Sequence, residues 1–467
     1  MDAETTKYEG YWWFPDNPDK KVTGILSINR REGIELRIIS SLQSLYDQTS
    51  PEIILGQLIN GRLITLIDST SINSQSNPSN SAIDLSTCTY ISQVAISGKR
   101  HFQSKNDIVF ASADVRFSLL DEWLHKSGFN HNSEISKEGY LNKFNLKYEY
   151  PEIIEFDIHF LNSRLKTNYR FNRHHKFLKH DLTQKSFFTI KPNNPQNINW
   201  YDRTFDSLRK FVTIVSGYSV SITDFIAYGN EYNLTAKEEF IVSFKLPNTF
   251  IETFNQHPAT LLTHPDHLGT ELSAILNNWF DKSEKLEPAI LLYDATVSID
   301  LGYSEFRLLN YAQALEALHR RVFGGKYLTD EKYSSVCNTI VKSIPKSLER
   351  SHRDSLKGRI KYGHEFSQRK RIKLLLDEVW DDLLDQFIDN KTVFINQVIN
   401  TRNYLIHYDS SSESQAVKGI KIHYLAERLK IILIAHILLQ LGMPRNVVGR
   451  DIKRFANFEY LKIGREQ

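Results

Sequence analysis

The hydrophobic pattern of this chain changes its period once, near residue 286, and this change constrains the fold more than any other feature. Before that point, short runs rich in Ile, Leu and Thr, such as residues 22–28 and 34–39, are separated by polar segments and predict an antiparallel meander. After it, apolar residues recur at spacings of three and four, which is typical of amphipathic helices. The sequence therefore predicts an α+β protein, in which a β-rich N-terminal module (residues 1–285) precedes an all-α helical bundle (residues 286–467).

Local signals refine both modules. Asn60-Gly61 predicts a hairpin turn, the Ser/Asn-rich tract 69–81 predicts a surface loop, and an apolar stripe predicts a helix at 201–216. In the second module, Gly324-Gly325 and Gly442 are predicted helix ends. The helices predicted there are 287–298, 304–323, 329–341, 371–389, 390–407 and 418–441.

Composition excludes several classes of protein. The chain of 467 residues carries a formal net charge of only +3, which does not by itself indicate nucleic-acid binding, so any basic surface must be local. Its two cysteines, Cys88 and Cys337, lie far apart and argue against a disulfide framework or a structural zinc site. The N-terminus has no signal-peptide core, and the apolar run 431–441 is too short to span a bilayer. We therefore expect a cytoplasmic protein without a membrane span.

A short segment late in the chain, Arg402-Asn403-Tyr404-Leu405-Ile406-His407, carries the groups that a metal-free ribonuclease needs. A histidine near neutral pH can take or give a proton, and a guanidinium can neutralise charge on a phosphorane. At about 100° per residue, Asn403 and His407 fall on nearly one helix face, whereas Arg402 lies about 140° from His407. The arginine side chain must therefore reach across the helix, or the helix must loosen near His407.

The spacing of this Arg and this His is not specific by itself. An Arg five residues before a His is expected about once by chance in a chain with this many histidines, and it occurs three times here. The third match differs because an Asn follows the Arg and the preceding apolar residues recur at helical spacing. The pairs are Arg170 with His175, Arg359 with His364, and Arg402 with His407.

Arg402, Asn403 and His407 resemble the Arg-Asn-x-x-x-His signature of HEPN-domain ribonucleases, in particular the ApeA-like group of bacterial anti-phage abortive infection. Residues 304–320 resemble the first long helix of the HEPN domain in that group, where an acidic residue often supports the active site. Glu316 is the closest match to that acid. These residues are therefore candidates for a ribonuclease site.

The resemblance covers roughly residues 290–445, extends more loosely over the N-terminal module, and implies a HEPN-type bundle that cuts RNA. His407 would act as general base on a ribose 2′-OH or as general acid on the leaving 5′-oxygen, and Arg402 would stabilise charge on the non-bridging oxygens. Asn403 would hold a phosphate or fix the tautomer of the histidine. The expected products carry 2′,3′-cyclic phosphate and 5′-OH ends, and no metal or other cofactor is expected.

The resemblance also implies binding partners. HEPN domains resembling this one pair so that two motifs face each other, and we therefore expect a homodimer or a higher homo-oligomer with a composite site. The expected substrate is a host RNA, with tRNA the leading candidate, whose cleavage would block translation. The N-terminal module would restrain the nuclease or detect infection through a phage-derived trigger.

Two basic tracts are further candidates for binding. Between residues 342 and 373, Lys and Arg greatly outnumber Asp and Glu, and this run is either an RNA-binding surface or a solvated basic face. The second tract, residues 164–180, is predicted to be a surface loop, with RNA binding or detection of a phage product as the alternative. The predicted RNA-binding residues in the first tract are Arg359, Arg369, Lys370, Arg371 and Lys373.

Two other predictions concern single sites. Glu316 either pairs with Arg402 as a buried carboxylate or is an ordinary solvent-facing residue. His264-Pro265-Asp266-His267 lacks a third ligand at a recognisable spacing, so this segment predicts a turn and no metal site.

Two other functions stay open at this point. The main rival is a non-catalytic HEPN-type protein that binds RNA or nucleotides or serves in assembly, with Arg402 and His407 as mere contacts. A further alternative is that the β-rich module recognises a glycan or a protein while the bundle oligomerises. The sequence has no glycine-rich phosphate loop and no Gly-x-Ser-x-Gly elbow, which weakens ATPase, dehydrogenase and hydrolase functions.

Overall fold

Strands dominate the first part of the chain and helices the second in the computed structural model of the protein. This order confirms the predicted α+β class, with a β-rich region followed by a helical bundle. The chain packs as two units, Met1–Asp266 and His267–Gln467. The structure describes residues 5–39, 42, 50–75, 87–229, 238–245, 256–299, 302–456, 458 and 461.

The strands are β1 Thr6–Trp13, β2 Val22–Asn29, β3 Gly33–Ile39, β4 Ile53–Leu58, β5 Leu63–Gln75, β6 Thr87–Gly98, β7 Val109–Phe110, β8 Ser112–Phe117, β9 Phe129–Ile135, β10 Leu141–Tyr148, β11 Glu155–Ile158, β12 Ser163–Lys176, β13 Lys179–Pro192, β14 Gln196–Asn197, β15 Ile222–Tyr228 and β16 Glu239–Phe244. The helices are α1 Leu120–Leu124, α2 Ile198–Ser216, α3 Pro265–Leu268, α4 Glu271–Asp281, α5 Ser283–Ser298, α6 Ser304–Phe323, α7 Asp330–Lys342, α8 Arg350–Lys361, α9 Gln368–Glu378, α10 Asp381–Leu384, α11 Lys391–His407, α12 Ser410–Glu413, α13 Ile420–Gln440 and α14 Arg445–Phe455. Short 3₁₀ turns lie at Lys105–Asp107 and Pro258–Thr260.

One large antiparallel sheet organises the first unit. Strands β1 to β6 pair in the order β6-β3-β2-β1-β4-β5, and β5 pairs with β6 again, so these strands close on themselves. The sheet continues from β6 through β16, β15, β8, β13, β12 and β11. Strand β6 belongs both to the closed set of strands and to the rest of the sheet, because its residues 87–92 pair with β3 and its residues 94–97 pair with β16.

Alternating side chains explain why the closed part has an apolar interior. In β3 the side chains of Ile34, Leu36 and Ile38 are fully buried and are separated by exposed residues, as expected for a strand with one face on the core. Gly56 on β4 leaves room for a large aromatic residue, because a Cβ atom there would lie 2.2 Å from the ring of Trp12. Trp12 is fully buried and fills this space.

Several local predictions for the first unit are confirmed. The runs 22–28 and 34–39 form the hairpin of β2 and β3. The turn at Asn60-Gly61 joins β4 to β5, with Gly61 at a φ of +82° that favours glycine. The helix predicted at 201–216 is the main part of α2, which begins three residues earlier because the side chain of Asn197 accepts the N–H of Trp200 at 3.0 Å.

The two surface-loop predictions are wrong where the structure describes them. Strand β5 continues to Gln75, so residues 69–75 pair with β6, and the Oγ atoms of Ser69 and Ser92 lie 2.7 Å apart. Residues 76–81 of that tract lie outside the described residues. The tract 164–180 forms most of the hairpin of β12 and β13. In both places a long neighbouring strand pairs the backbone, which outweighs the preference of Ser, Asn and Lys for loops.

The second unit is built around α6 and α13, which pack against each other, with α5 beside α6. Five predicted helices are confirmed. The predictions for 287–298, 304–323, 329–341, 390–407 and 418–441 correspond in this order to α5, α6, α7, α11 and α13. The helix predicted at 371–389 is wrong as a single element, because Val379 and Trp380 are extended and separate α9 from α10. No helix of the described chain is long and apolar enough to cross a membrane.

Helix α8 was not predicted from the sequence. It contains no buried residue, and therefore it lacks the apolar stripe by which amphipathic helices are recognised. A hydrogen bond from the hydroxyl of Tyr333 to the carbonyl of Ile360 joins α7 to α8, and a bridge between Lys326 and Glu365 closes the base of this helical pair. The pair therefore presents its basic residues on the surface of the second unit.

Candidate active site in the helical unit

A pocket of about 430 Å³ lies among α6, α9 and α11. Its α6 wall consists of residues that recur every three or four positions, with Ala317 beside Glu316, and these residues share one face of the helix. Helix α9 contributes its first residue, and α11 contributes two residues one turn apart. The lining residues are Leu309, Gln313, Glu316, Ala317, Arg320, Gln368, Arg402 and Ile406.

Arg402 is the cation that the pocket offers to an anionic ligand. Its side chain is half-buried, and its Nη1 donates to Oδ1 of the neighbouring Asn403 at 3.2 Å. Among the residues that the structure describes, no carboxylate forms an ion pair with Arg402. Its charge is therefore not neutralised by a carboxylate of the described chain.

Glu316 pairs with Arg320 and not with Arg402. Both Nε and Nη2 of Arg320 donate to Oε1 of Glu316 at 3.1 Å, as expected for an i, i+4 pair on one helix face. A second carboxylate, that of Glu365, accepts from Nη1 of Arg320, and this hydrogen bond lowers the pKa of Glu365. The two carboxylates together raise the pKa of Arg320 further above its already high value. The suggested pairing of Glu316 with Arg402 is therefore wrong, because Arg320 is one turn away on the same helix.

His407 is the last residue of α11, and its side chain is exposed. Tyr408 follows in the left-handed region with a φ of 48°, and its N–H bonds the carbonyl of Tyr404, which ends the helix. The histidine is not among the residues that line the pocket, whereas Arg402 and Ile406 are. The helix thus stays regular through the motif and presents Arg402 and His407 on different sides, as the helical spacing indicates.

Two family models match the chain. The model described as ApeA N-terminal domain 1 matches residues 7–279, which is more than half of the chain, and the model described as Apea-like HEPN matches residues 309–447. The chain belongs to the ApeA-like HEPN proteins. No curated protein and no solved structure matches it.

The match to the HEPN model includes every residue that lines the pocket, together with Asn403 and His407. HEPN domains are typically ribonucleases, and they commonly bind RNA and dimerise. The ApeA-like HEPN domain indicates a HEPN-type nuclease of anti-phage defence.

The predicted RNA-binding residues of the HEPN unit lie in different environments. Arg359, Arg369 and Lys373 are exposed, and Lys370 is partly exposed. Arg371 is only 2% exposed, so its assignment to an RNA-binding surface is wrong. Its side chain lies on the apolar face of α9 that packs into the bundle.

The guanidinium of Arg371 holds together the end of α6 and the start of α9. It donates to the carbonyls of Phe366, Gly324 and Gly325 at 3.1, 2.5 and 3.2 Å, and it lies 3.1 Å from Nδ1 of His319. Burial lowers the pKa of Arg371, and burial together with the charge of Arg371 lowers that of His319. This arginine is therefore a structural residue that satisfies the carbonyls of a buried turn.

The histidines of the segment at 264–267 have separate partners. Nδ1 of His264 lies 3.4 Å from the carbonyl oxygen of Trp123, and Nδ1 of His267 lies 3.1 Å from the carboxylate of Asp451. Within the described residues there is no group of three or more His, Cys, Asp or Glu residues placed to hold a metal ion.

Sequence reasoning missed Arg320, Gln313 and Gln368 as residues of the pocket. Gln313 and Arg320 stand three residues before and four residues after Glu316, which is the spacing of one helix face, so the position of Glu316 alone could have identified them. Gln368 could not be found in this way, because it comes from another helix. Its side chain reaches the carbonyl of Ala312 on α6 at 3.4 Å.

Proposed function

We propose that this protein is a metal-independent RNA endonuclease that acts in anti-phage abortive infection by cutting a host RNA, with tRNA the leading candidate. One observation carries the proposal: Arg402, which has no carboxylate partner in the described chain, lines a pocket of the ApeA-like HEPN domain on the helix that ends at His407. An unneutralised cation in the pocket and a proton carrier at the end of the same helix are the groups that cleavage of a phosphodiester needs.

The chemistry follows from the groups at the end of α11. In this proposal His407 accepts the proton of the ribose 2′-OH or donates one to the leaving 5′-oxygen, and Arg402 stabilises charge on the non-bridging oxygens. Asn403, which accepts from Arg402, orients that guanidinium or holds a phosphate. Glu316 positions Arg320 and does not touch the substrate. The products carry 2′,3′-cyclic phosphate and 5′-OH ends, and DNA resists cleavage because it lacks the nucleophile.

A second copy of the chain completes the site in this proposal. One protomer brings one His407, whereas simultaneous acid and base catalysis requires two proton carriers. The histidine is exposed, and its neighbours Ile406 and Tyr408 are 44% and 69% exposed, which is compatible with an interface at this end of α11. Light scattering coupled to size exclusion tests this part, and an active species that elutes as a monomer at the assay concentration contradicts it.

The decisive experiment is cleavage of total bacterial RNA in EDTA by the wild-type protein and by His407→Ala, with mapping of new 5′-OH ends. His352→Ala is the matched control, because His352 is an exposed histidine on α8 outside the site. We expect discrete cuts by the wild type and the control, and none by His407→Ala. Cuts that persist in His407→Ala, or that require a divalent metal, contradict the proposed mechanism.

The same assay separates the nuclease from a non-catalytic RNA-binding or assembly protein. If neither the wild type nor any variant cuts RNA, the assay is repeated in an extract of phage-infected cells. Cuts that appear only in this extract support a nuclease that the N-terminal module holds inactive until a phage-derived trigger is present. RNA binding without cuts in either condition favours the non-catalytic alternative.

A further inference from the structure

The hairpin of β12 and β13 extends well beyond the sheet to which it belongs. Each strand has fourteen residues, and the root of β12 alternates between buried and partly exposed residues, as expected for a strand inside the sheet. From residue 171 to residue 180 every side chain is exposed, although the strands stay paired up to Lys176 and Lys179. We call this exposed segment, residues 171–180, the ribbon.

The ribbon is held firmly at its root. Phe171 stacks on Tyr148 with ring centroids 4.3 Å apart, and Phe129 lies against the same tyrosine at 5.1 Å. The side chain of Gln184 accepts the N–H of Gly128 at 2.8 Å. These contacts come from the neighbouring hairpin of β9 and β10, so the direction of the ribbon is determined by packing at its base.

Positive charge is concentrated along the ribbon in an arrangement that is unfavourable without a partner. Lys176 and Lys179 are directly opposite each other across the two strands, and like charges in this position destabilise a strand pair. Lys179 has an ion pair with Asp181 at 2.9 Å. Arg173 and Lys176 have no ion pair within the part of the chain that the structure describes. The ribbon also carries three histidines, His174, His175 and His180.

The tip of the ribbon is apolar and fully presented to solvent. Phe177 and Leu178, the two residues of the turn, are 92% and 90% exposed. An aromatic ring at the end of a cationic hairpin offers a flat surface on which an unpaired base can stack. Side chains of a strand alternate between its two faces, so Arg173 and His175 lie on one face of the ribbon and Lys176 on the other, and a ligand that contacts both cations follows the edge of β12 towards the tip.

We infer that the ribbon binds single-stranded nucleic acid, with Arg173 and Lys176 on phosphates and Phe177 stacked on a base. That the strand is RNA rests on the proposed function, whereas the binding itself does not. A linear polyanion fits better than an anionic membrane, because the cations lie along the length of the ribbon and only two residues at the tip are apolar.

The test compares two pairs of cations in the full-length protein that carries His407→Ala, so that the RNA stays intact. The first variant is Arg173→Ala/Lys176→Ala. The matched control is Lys143→Ala/Lys147→Ala on the neighbouring hairpin, where both lysines have ion pairs with Glu134 and Glu149. Binding of an unstructured 20-nucleotide RNA is measured by fluorescence anisotropy over a series of salt concentrations.

We expect the ribbon variant to bind at least tenfold more weakly at low salt. Each lost phosphate contact on a single strand reduces the slope of log K against log salt by about 0.7, so the slope should fall by about 1.4. Phe177→Ala/Leu178→Ala should weaken binding about tenfold at an unchanged slope, because stacking does not release counterions. The control should behave like its parent.

Two results would overturn the inference. One is equal affinity and equal salt slope for the ribbon variant and the control. The other is binding of the parent protein to vesicles of phosphatidylserine and phosphatidylcholine that is lost in Phe177→Ala/Leu178→Ala, with RNA binding unchanged in that variant. Cleavage is assayed separately with His407 present, so a failure of the ribbon and a failure of the proposed nuclease are distinguishable.

Discussion

Glu316 and Arg402 line the same pocket from different helices, yet the described part of the chain shows no hydrogen bond between them. Arg320 binds the carboxylate of Glu316 from one turn further along α6. In this pocket the negative charge of Glu316 is therefore neutralised by Arg320, whereas the positive charge of Arg402 is not neutralised by a carboxylate of the described chain. This separation leaves Arg402 available to a phosphate.

Replacing Arg320 tests this arrangement. In Arg320→Ala the carboxylate of Glu316 loses its partner and becomes available to Arg402, so we expect RNA cleavage to fall about tenfold, equivalent to about 1.4 kcal/mol of transition-state stabilisation. Glu316→Ala/Arg320→Ala should recover part of this loss, as measured by kcat/KM on a defined RNA. Arg321→Ala is the control, because within the described residues the side chain of Arg321 donates a hydrogen bond to the carbonyl of Glu284 and forms no ion pair. A double variant no more active than Arg320→Ala would contradict the explanation.

Arg402 itself should matter more for cleavage than for binding. Removal of a single group that stabilises the transition-state charge typically costs about 10²–10³ in rate, and we expect this loss for Arg402→Ala. Arg402→Lys should retain part of the activity, since it keeps the charge but not the planar fork. Arg350→Ala, at a highly exposed arginine of α8, is the control in single-turnover cleavage. Wild-type rates for Arg402→Ala would exclude Arg402 from the mechanism.

The parts of the fold with strong local signals were predictable. Helices α6 and α11 follow from the 3.6-residue period, with Gly324 just beyond α6 and Asn390 capping α11. The continuation of β5 past Ser69 was not predictable, because it depends on pairing with β6, whose partner residues follow only after the intervening segment 76–86. Tertiary pairing of this kind overrides local propensity.

The candidate site was predictable only in part, for a similar reason. The sequence shows that Arg402, Asn403 and His407 lie together, but the partner of Glu316 depends on side-chain directions along α6. Arg371 was assigned to a basic surface by composition alone, although Leu375 follows it by one helical turn and both are buried. In a run of Lys and Arg, the apolar residues at helical spacing indicate which cation faces inward.

Arg371→Ala should destabilise the HEPN unit without changing how RNA binding depends on salt. The substitution leaves the carbonyls of Phe366, Gly324 and Gly325 without this donor, and unsatisfied buried groups cost about 1–3 kcal/mol each. We expect a loss of at least about 3 kcal/mol in the free energy of unfolding, measured by urea denaturation. Arg369→Ala, at an exposed neighbour, should change stability by less than about 0.5 kcal/mol. Equal stability of the two variants would contradict a structural role for Arg371.

Substitutions at Arg369 and Lys370 test whether the basic face of α9 binds RNA. Charge reversal at both, Arg369→Glu/Lys370→Glu, should weaken RNA binding and lower the slope of log K against log salt by about 1.4 if each contacts one phosphate of a single strand. Lys285→Glu/Lys391→Glu is the control, with Lys285 exposed on α5 and Lys391 in an ion pair with Asp381 at 2.9 Å. An unchanged slope would identify the run as an ordinary solvated face.

His436 should make the stability of the HEPN unit depend on pH. Burial lowers the pKa of His436 from 6.5 to about 4, although its Nε2 donates to the carbonyl of Leu375 at 2.9 Å. The unfolded chain therefore binds a proton below pH 6.5 that the folded chain binds only below about 4. The contribution of the neutral His436 to the free energy of unfolding is present in full above pH 6.5. It is lost as the pH falls from 6.5 to about 4, and this loss amounts to about 3 kcal/mol.

His436→Gln isolates this effect, because a glutamine can donate to the same carbonyl and does not titrate. Urea denaturation of both proteins between about pH 7.5, one unit above the pKa of the unfolded histidine, and about pH 4 should show the wild type losing stability relative to His436→Gln as the pH falls. Since each unit of pKa difference is worth about 1.4 kcal/mol, the relative loss should approach about 3 kcal/mol near pH 4. A stability difference that does not change with pH would mean that His436 is accessible to protons in the folded protein.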